Sequence, residues 1–554
     1  MIIRVLRSQT KTITFAALIL AISSLISRFL GLVRDRLLAG NFGAGEELDV
    51  YFTAFRIPDF VYGILILGGI TAAFLPVFSQ YFHKEDKETH QWSNEVIEFT
   101  NNVLNCFLIL LVLICGILAI FTPFIIKLIV PGFSSENITL TIALTRLMFL
   151  SPILFGLSSI FSGILHYFNR FLIYSLAPIL YNLGIIFGII FLVPTFGIFG
   201  LGYGVILGAF LHLVIQIPAA KFSGYKYRPV FNFRFPGIKK IFKLMIPRII
   251  GSTAYHINLI VITAIASTLT IGSISVFNFS NNLQYFPIGI IGISFAISSF
   301  PIFARLLARN KKEEFLERFS STFRQILFFI IPISFLMFLL RAQIVRLILG
   351  TGEFGWLETR LTAASLGIFC FGIFGASLIP LIVRVFFALQ NTKTPVLIAI
   401  SSMVVNVIFS FLFVSLLGYS NIFRDFFVFA LNLKDIENIQ VIGLALALSV
   451  SALFQLILLL IFLYKKIGNF KIKEISFSLV KILSSSIIMA CFSYFVRQRF
   501  ANSISALYFW GIFWQTFFTI LIGVLIYYLF NLFFKSKEIE TIKLSFLKQF
   551  NEKH

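Results

Sequence analysis

The chain has 554 residues, 58% of them hydrophobic and only 12% charged, with a mean hydropathy of +0.96. Soluble domains carry about a quarter charged residues, so the composition excludes a soluble fold and points to an all-α polytopic membrane protein. The excess of 45 Lys+Arg over 23 Asp+Glu does not mark a nucleic-acid partner. With the amino terminus in the cytoplasm, about 30 of the basic residues fall on that side, in tails and alternate connections, which is a topology signal.

Apolar runs long enough for a bilayer recur at 12–36, 48–80, 96–123, 139–165, 173–193, 199–220, 244–268, 274–303, 323–348, 360–388, 396–418, 440–464, 475–496 and 506–534. They predict about 14 transmembrane helices with both termini cytoplasmic. The first run resembles a signal-peptide core, but no small-residue cleavage site follows it before Arg28, and it is read as a retained span. From Ile13 to Ser27 there are only 15 residues, about 22 Å of helix against roughly 30 Å of hydrocarbon. The span must therefore run on through SRFLGLVRDR, which carries Arg28, Arg34, Asp35 and Arg36.

Helical spacing puts Arg28 and Asp35 on one face, with Arg34 and Arg36 flanking it. The second span adds Asp49, Arg56 and Asp59 in DVYFTAFRIPDF. An arginine at mid-membrane costs about 2.5 to 3.5 kcal/mol on insertion scales, so such residues face a bundle interior, a partner or water. A surplus of guanidinium groups suits a phosphate or pyrophosphate ligand, because the planar fork pairs bidentately with oxyanions and keeps its proton. The alternative is structural: Arg34 and Arg36 reach the interface while Arg28 pairs with Asp49 to pin two helices.

The remaining polar residues give weaker signals. The connection after the sixth span, KFSGYKYRPVFNFRFPGIKKIFK, has seven basic residues and no acid. Asn281, Asn282 and Gln284 in the eighth span and His212 and His256 read as hydrogen-bonded helix packing. Arg384, near the cytoplasmic end of the tenth span, either lines a cavity or reaches the interface. GTGEFG at 350–355 matches a dinucleotide-binding pattern but joins two apolar helices with no βαβ unit around it, so it reads as a glycine-rich turn. The four cysteines lie in apolar runs without CxxC spacing and read as packing residues. No ATP-binding, metal or hydrolase motif appears, so neither cofactor nor metal is expected.

The two halves resemble each other. Pro76 in AFLPVF pairs with Pro301 in SFPIF, Asn169 with Asn391, and Asn182 with Asn406, at offsets close to 224. Six spans per repeat is an even number, so the copies should be related by an axis along the membrane normal. This predicts an N-lobe at 1–222, a C-lobe at 223–465, and two further helices with a cytoplasmic tail at 466–554. Paired lobes of this kind suit alternating access, which makes a transporter, not an enzyme, the leading class.

SRFLGLVRD (27–35), FGAGEELDVYFTAFRIPDF (42–60), AFLPVFSQYF (73–82), FPIGIIGISFA (286–296), GTGEFGW (350–356) and FFALQNTKTPV (386–396) together resemble the MurJ/MviN lipid II flippases of the multidrug/oligosaccharidyl-lipid/polysaccharide exporter superfamily. The resemblance implies a fourteen-helix monomer in the bacterial inner membrane. It implies that undecaprenyl-pyrophosphate glycopeptide, lipid II, is moved from the inner to the outer leaflet for peptidoglycan synthesis, cell-wall biogenesis and cell shape. Membrane lipids are expected partners, and an inside-negative membrane potential is expected to drive outward movement of the anionic headgroup without a cofactor, with a coupling sodium ion or proton left open. Arg28, Arg34 and Asp35 match the family's first-helix positions and Asp49 its second-helix aspartate. The sequence departs from the family at Tyr62, Gly63 and Leu67, where an Arg pair and a Glu are common, at Asn282, where an Arg is common, and at Asn391, where an Asp is common. Arg56 or Arg384 are candidates to replace the missing cations. Three other readings remain open: a flippase for another polyprenyl-linked glycan, a multidrug antiporter, for which the surplus charge has the wrong sign, and a membrane-embedded glycosyltransferase, which would need a catalytic carboxylate in the long connection 419–439.

Overall fold

The computed structural model describes residues 13–83, 92–503 and 508–540. The basic tails and most of the connection between the second and third spans lie outside them. Among the described residues there is no strand. Twelve helices are long and apolar enough to cross a membrane: α2 Glu46–Phe82, α3 Asn94–Ile129, α4 Ser135–Tyr167, α5 Phe171–Phe196, α6 Phe199–Phe222, α8 Ser273–Ala308, α9 Lys312–Leu339, α10 Trp356–Ala388, α11 Lys393–Gly418, α12 Val441–Ile467, α13 Ile472–Ser503 and α14 Phe509–Phe533. Two more, α1 Ile13–Phe42 and α7 Pro236–Ser267, are 30 and 32 residues long. With them the fourteen expected segments are all helical.

Three segments differ from the reading of the sequence. The ninth run is not one helix: α9 stops at Leu340 and a separate short helix, Arg341–Ile348, follows. The break falls where Arg341, Gln343 and Arg346 interrupt the apolar run, a polar stretch too short to end the span by apolar length alone. The connection 419–439 contains a helix, Ile422–Leu431, begun by the Asn421 side chain accepting from the backbone N–H of Arg424 at 2.8 Å. The third difference is in α2, which passes through a π-helical stretch at Tyr62–Ile70.

The contacts divide the chain into two compact units, Met1–Ser275 and Val276–His554. In the first unit, α7 packs along the π stretch of α2. Beside it, α5 lies on α6 with glycine against glycine: a Cβ at Gly184 would lie 2.3 Å from the Gly208 Cα, and one at Gly188 would lie 2.5 Å from the Gly204 Cα. Such small-residue rows let helix backbones approach closely in lipid, where apolar side chains alone give no preference for helix over tail. The core of this unit is aromatic, with the rings of Tyr81 and Phe99 stacked at 4.4 Å beside the fully buried Phe74 and Phe78.

In the second unit α10 packs on α12, α9 and α8, while α13 packs on α14 and α9. Phe303, Phe315 and Phe319 fill the corresponding aromatic core. At one end the buried Glu538 accepts from Arg324 at 3.0 Å and from Ser478 at 2.7 Å, tying the segment after α14 to α9 and α13.

The repeat is visible in the backbone of each unit. The π stretch of α2 precedes Pro76, and a second one, Ile288–Ile293 in α8, precedes Pro301. The turns after α4 and α10 both carry a residue in the left-handed region, Asn169 at φ 54° and Gln390 at φ 56°. The residue equivalent to Asn169 is thus Gln390, one position before the Asn391 that sequence matching selects. Both turns close in the same way, with the Arg170 N–H donating to the Leu165 carbonyl and the Asn391 N–H to the Phe386 carbonyl.

Candidate functional site: the charged face of the first helix

In the first unit α1 packs along α5, and the helix continues to Phe42, so the whole SRFLGLVRDR stretch is helical. Asp35 is buried, whereas Arg28, Arg34 and Arg36 are half-buried. Arg34 folds onto its neighbour, donating Nε at 3.0 Å and Nη2 at 2.8 Å to Asp35 Oδ1. Its Nη1 reaches Asn182 Oδ1 on α5 at 3.3 Å. The Asn182 amide in turn donates to the carbonyl and the hydroxyl of Ser27, each at 3.2 Å, and to the Pro178 carbonyl at 3.1 Å. Pro178 lies inside α5, four residues before Asn182.

The arrangement leaves donor capacity on the arginines. A guanidinium has five N–H donors and Arg34 uses three of them, so two remain. Arg28 lies two turns earlier on α1 and makes no hydrogen bond or ion pair with another described residue. In particular it does not pair with Asp49. Arg36 has interactions of its own.

Asp49 and Arg56, expected to face a ligand, are turned into the protein. Asp49 is buried in α2 and accepts from the backbone N–H groups of Gly272 and Ser275, both at 2.8 Å, and from the Ser275 hydroxyl at 2.7 Å. It therefore caps the first turn of α8 across the chain, satisfying donors that a helix start leaves open. Arg56 is buried and donates Nε to Thr263 Oγ1 on α7 at 2.7 Å.

The departures from the family pattern have a packing counterpart. A Cβ at Gly63 would lie 1.8 Å from His256 Nε2, so the imidazole of α7 occupies the space beside the residue that lacks a side chain. His256 makes no hydrogen bond among the described residues and stands edge-on to Tyr255 at 5.4 Å, which departs from the expected hydrogen-bonded packing. His212 does follow it, with Nδ1 at 2.7 Å from the Ser158 hydroxyl. Tyr62 packs on Phe155 at 5.0 Å, and Leu67 is exposed.

In the second unit Asn282 is half-buried in α8 and has partners. Arg384 of α10 donates Nη1 to the Ile293 carbonyl at 3.4 Å, at the end of the π stretch of α8. No group of three or more His, Cys, Asp or Glu residues able to hold a metal ion occurs among the described residues. Cys106, Cys115 and Cys370 are buried and Cys491 is exposed, and all four are free thiols.

Two residues of this network escape a reading by charge. Asn182 stands out in the sequence only as an anchor of the repeat, although a polar residue four positions after an intrahelical proline was its signal. Thr263 gives none, since a threonine in an apolar helix bonds equally well to its own backbone, as it also does here to the Leu259 carbonyl at 2.8 Å.

The chain matches the family model described as lipid II flippase MurJ over residues 38–514. It is 31% identical over 481 residues to a probable lipid II flippase MurJ of Buchnera aphidicola subsp. Schizaphis graminum, covering 86% of this chain and 88% of the relative. A lipid II flippase MurJ of Burkholderia cenocepacia is 26% identical over 407 residues, 72% of this chain and 78% of that one. Among solved structures, a lipid II flippase MurJ in an inward closed conformation superimposes with a TM-score of 0.73 at 25% identity, covering 94% of this chain and 99% of that one. An inward-facing multidrug transporter of the MATE family matches with a TM-score of 0.65 at 16% identity, over 82% of this chain and 99% of that one, and shares the fold alone. With a family match across most of the sequence and a matching fold, this chain belongs to the lipid II flippase MurJ family.

Proposed function

We propose that this protein moves lipid II from the inner to the outer leaflet of the bacterial cytoplasmic membrane by alternating access, with Arg28 and Arg34 holding the pyrophosphate. The observation that carries the residue assignment is the unequal commitment of the charged groups: Arg28 has no partner among the described residues and Arg34 keeps two free N–H donors. Asp49 and Arg56 are occupied elsewhere. An arginine at membrane depth without a counter-charge is costly, and a diphosphate supplies that counter-charge to the half-buried Arg28 with bidentate hydrogen bonds.

Asp35 and Asn182 are positioning residues. Asp35 takes up part of the Arg34 charge and fixes its plane, while Asn182 ties that guanidinium to α5. Asp49 acts by fastening the start of α2 to the α7–α8 connection, and Arg56 by holding α2 to α7. Arg384 and Asn282 belong to the second unit and enter only as accessory polar groups on α10 and α8. The proposed lobes are 1–222 and 223–465, followed by 466–554, with both termini cytoplasmic and the protein acting as a monomer.

The energetics are favourable without ATP. A membrane potential of 100 mV, negative inside, favours outward movement of two negative charges by roughly 5 kcal/mol, less whatever charge returns on the protein. The test is depletion of the protein while lipid II exposed at the outer leaflet is measured. Depletion should empty the outer leaflet of lipid II, wild type should restore it, and Arg28→Ala should not. Unchanged exposure on depletion rejects the function, and full rescue by Arg28→Ala rejects the site.

A further inference from the structure

A second concentration of arginines lies in the second unit, far along the sequence from the first-helix site. The break at Leu340, the short helix Arg341–Ile348, the start of α10, the end of the helix Ile422–Leu431 and the distal part of α13 together enclose a cavity of about 660 Å³. That volume is within the roughly 300–1,000 Å³ typical of small-ligand sites. Arg341, Arg346, Arg360 and Arg497 line it, with Asp435 as the one acid among the lining residues, a surplus of three positive charges.

Arg341, Arg360 and Arg497 are held in place but not used up, and Arg346 has interactions of its own. Arg341 donates Nη1 to the Phe338 carbonyl at 3.0 Å and stacks over the Phe338 ring at 4.7 Å. Arg497 donates Nη1 to the Leu339 carbonyl at 3.0 Å. Each thereby satisfies an open carbonyl at the end of α9 with a single N–H of five. Arg360 is bound to the Asn432 carbonyl and lies 3.4 Å from Asp435, whose own side chain is 85% exposed. Gly367 of α10 makes room for the stem of Arg341: a Cβ there would lie 2.8 Å from the Arg341 Cδ.

The rim is built for a lipid interface. Trp356 and Tyr494 line the cavity and are exposed, and the neighbouring Leu357, Phe371 and Phe495 are exposed apolar side chains. Tryptophan and tyrosine with apolar neighbours mark headgroup depth. The cavity lies at the end of α9 and α13 remote from the lysine-rich connections that precede them. In the orientation proposed above this is the outer end, where arginines have no topological role.

We propose that the cavity ringed by Arg341, Arg346, Arg360 and Arg497 binds a phosphate group carried on a lipid, entering from the adjacent leaflet past Trp356 and Tyr494. The planar forks take the phosphate oxygens and the aromatic rim takes the glycerol or first isoprene units. Only the choice of leaflet rests on the flippase reading; binding itself does not.

The test uses the full-length protein purified in detergent, with affinities measured for phosphatidylglycerol, undecaprenyl pyrophosphate, inorganic pyrophosphate and phosphate-free dioleoylglycerol. Arg341→Ala/Arg497→Ala should weaken both phospholipid and polyprenyl pyrophosphate by about tenfold or more. Arg341→Lys/Arg497→Lys should keep part of the affinity, and Arg305→Ala/Arg309→Ala, which removes two exposed cations at the end of α8 just before α9 begins, should change it by less than about twofold. Tighter undecaprenyl pyrophosphate makes this a station for the polyprenyl carrier; tighter phosphatidylglycerol makes it a site for membrane phospholipid. Either result supports the proposal. Equal losses in the two alanine pairs, no loss in the first, or inorganic pyrophosphate binding as tightly as both lipids overturns it. Should the alanine pair fail to fold, Arg497→Gln and Trp356→Ala singly carry the same test, each with about a threefold loss expected and an unchanged affinity overturning the proposal.

Discussion

Two asparagines that sequence matching pairs across the repeat do different work. Asn182 on α5 holds Arg34 and Ser27 of α1. Asn406 on α11 is buried, donates to Ser451 of α12 at 3.3 Å, and accepts at 3.5 Å from Ser410. The scaffold around them is alike, with π stretches in α2 and α8, prolines after each, and left-handed turn residues at Asn169 and Gln390. The two units thus share these backbone features but differ in their polar partners, one asparagine supporting charge and the other packing two helices. Helix ends and bulges depend on backbone geometry, which duplication copies; the polar partner depends on one side chain on a neighbouring helix, which can change alone.

The largest effect should come from Arg28. Arg28→Ala should lower flipping by about 100-fold, the equivalent of one strong charge-assisted contact, with little change in thermal unfolding; Arg28→Lys should restore part of it. A variant that unfolds early instead would assign Arg28 to structure and remove the difference in role between the two units.

Next in size is Asp49. Asp49→Ala leaves the N–H groups of Gly272 and Ser275 buried without an acceptor, and should destabilise the protein by about 3 kcal/mol. Thermal unfolding in detergent measures this, and flipping should fall only in step with the folded fraction. A loss of transport at full stability would return Asp49 to direct contact with substrate.

The asparagine pair sharpens the comparison directly. Asn182→Ala should reduce transport by about tenfold by loosening Arg34, whereas Asn406→Ala should cost about 1 kcal/mol of stability and leave transport per folded molecule unchanged. Equal effects on transport would mean that the two copies share the polar role.

The last test, of packing and not of charge, is at Gly63. Gly63→Ala should cost about 1 to 3 kcal/mol by overpacking against His256, and His256→Ala should rescue it in a double-mutant cycle. An additive cycle would show that the imidazole and the missing side chain are unrelated.

Much of the fold was legible because bilayer-length apolar runs are a strong signal, and the described helices overlap the predicted runs throughout. The breaks were not. The π stretch at Tyr62–Ile70 lies inside uniformly apolar sequence, where composition does not change although hydrogen-bond geometry does, and the end of α9 at Leu340 was signalled only by Arg341, Gln343 and Arg346 within a run long enough to pass as one span. Charge identified the first helix as the place to look but could not say which arginine is free, since Arg34 and Arg56 look equally available in one dimension. Arg341 and Arg360, separated by the glycine-rich turn, gave no sign of sharing a cavity with Arg497.

What the sequence by itself determined is therefore the membrane fold, the repeat and the concentration of cations on the opening helix, because each follows from local composition and spacing. The tertiary structure alone decided which charged groups are already satisfied. Hydrogen-bond partners such as Asn182 for Arg34, Gly272 for Asp49 and Thr263 for Arg56 lie more than 140 residues away along the chain, and only packing brings them within reach.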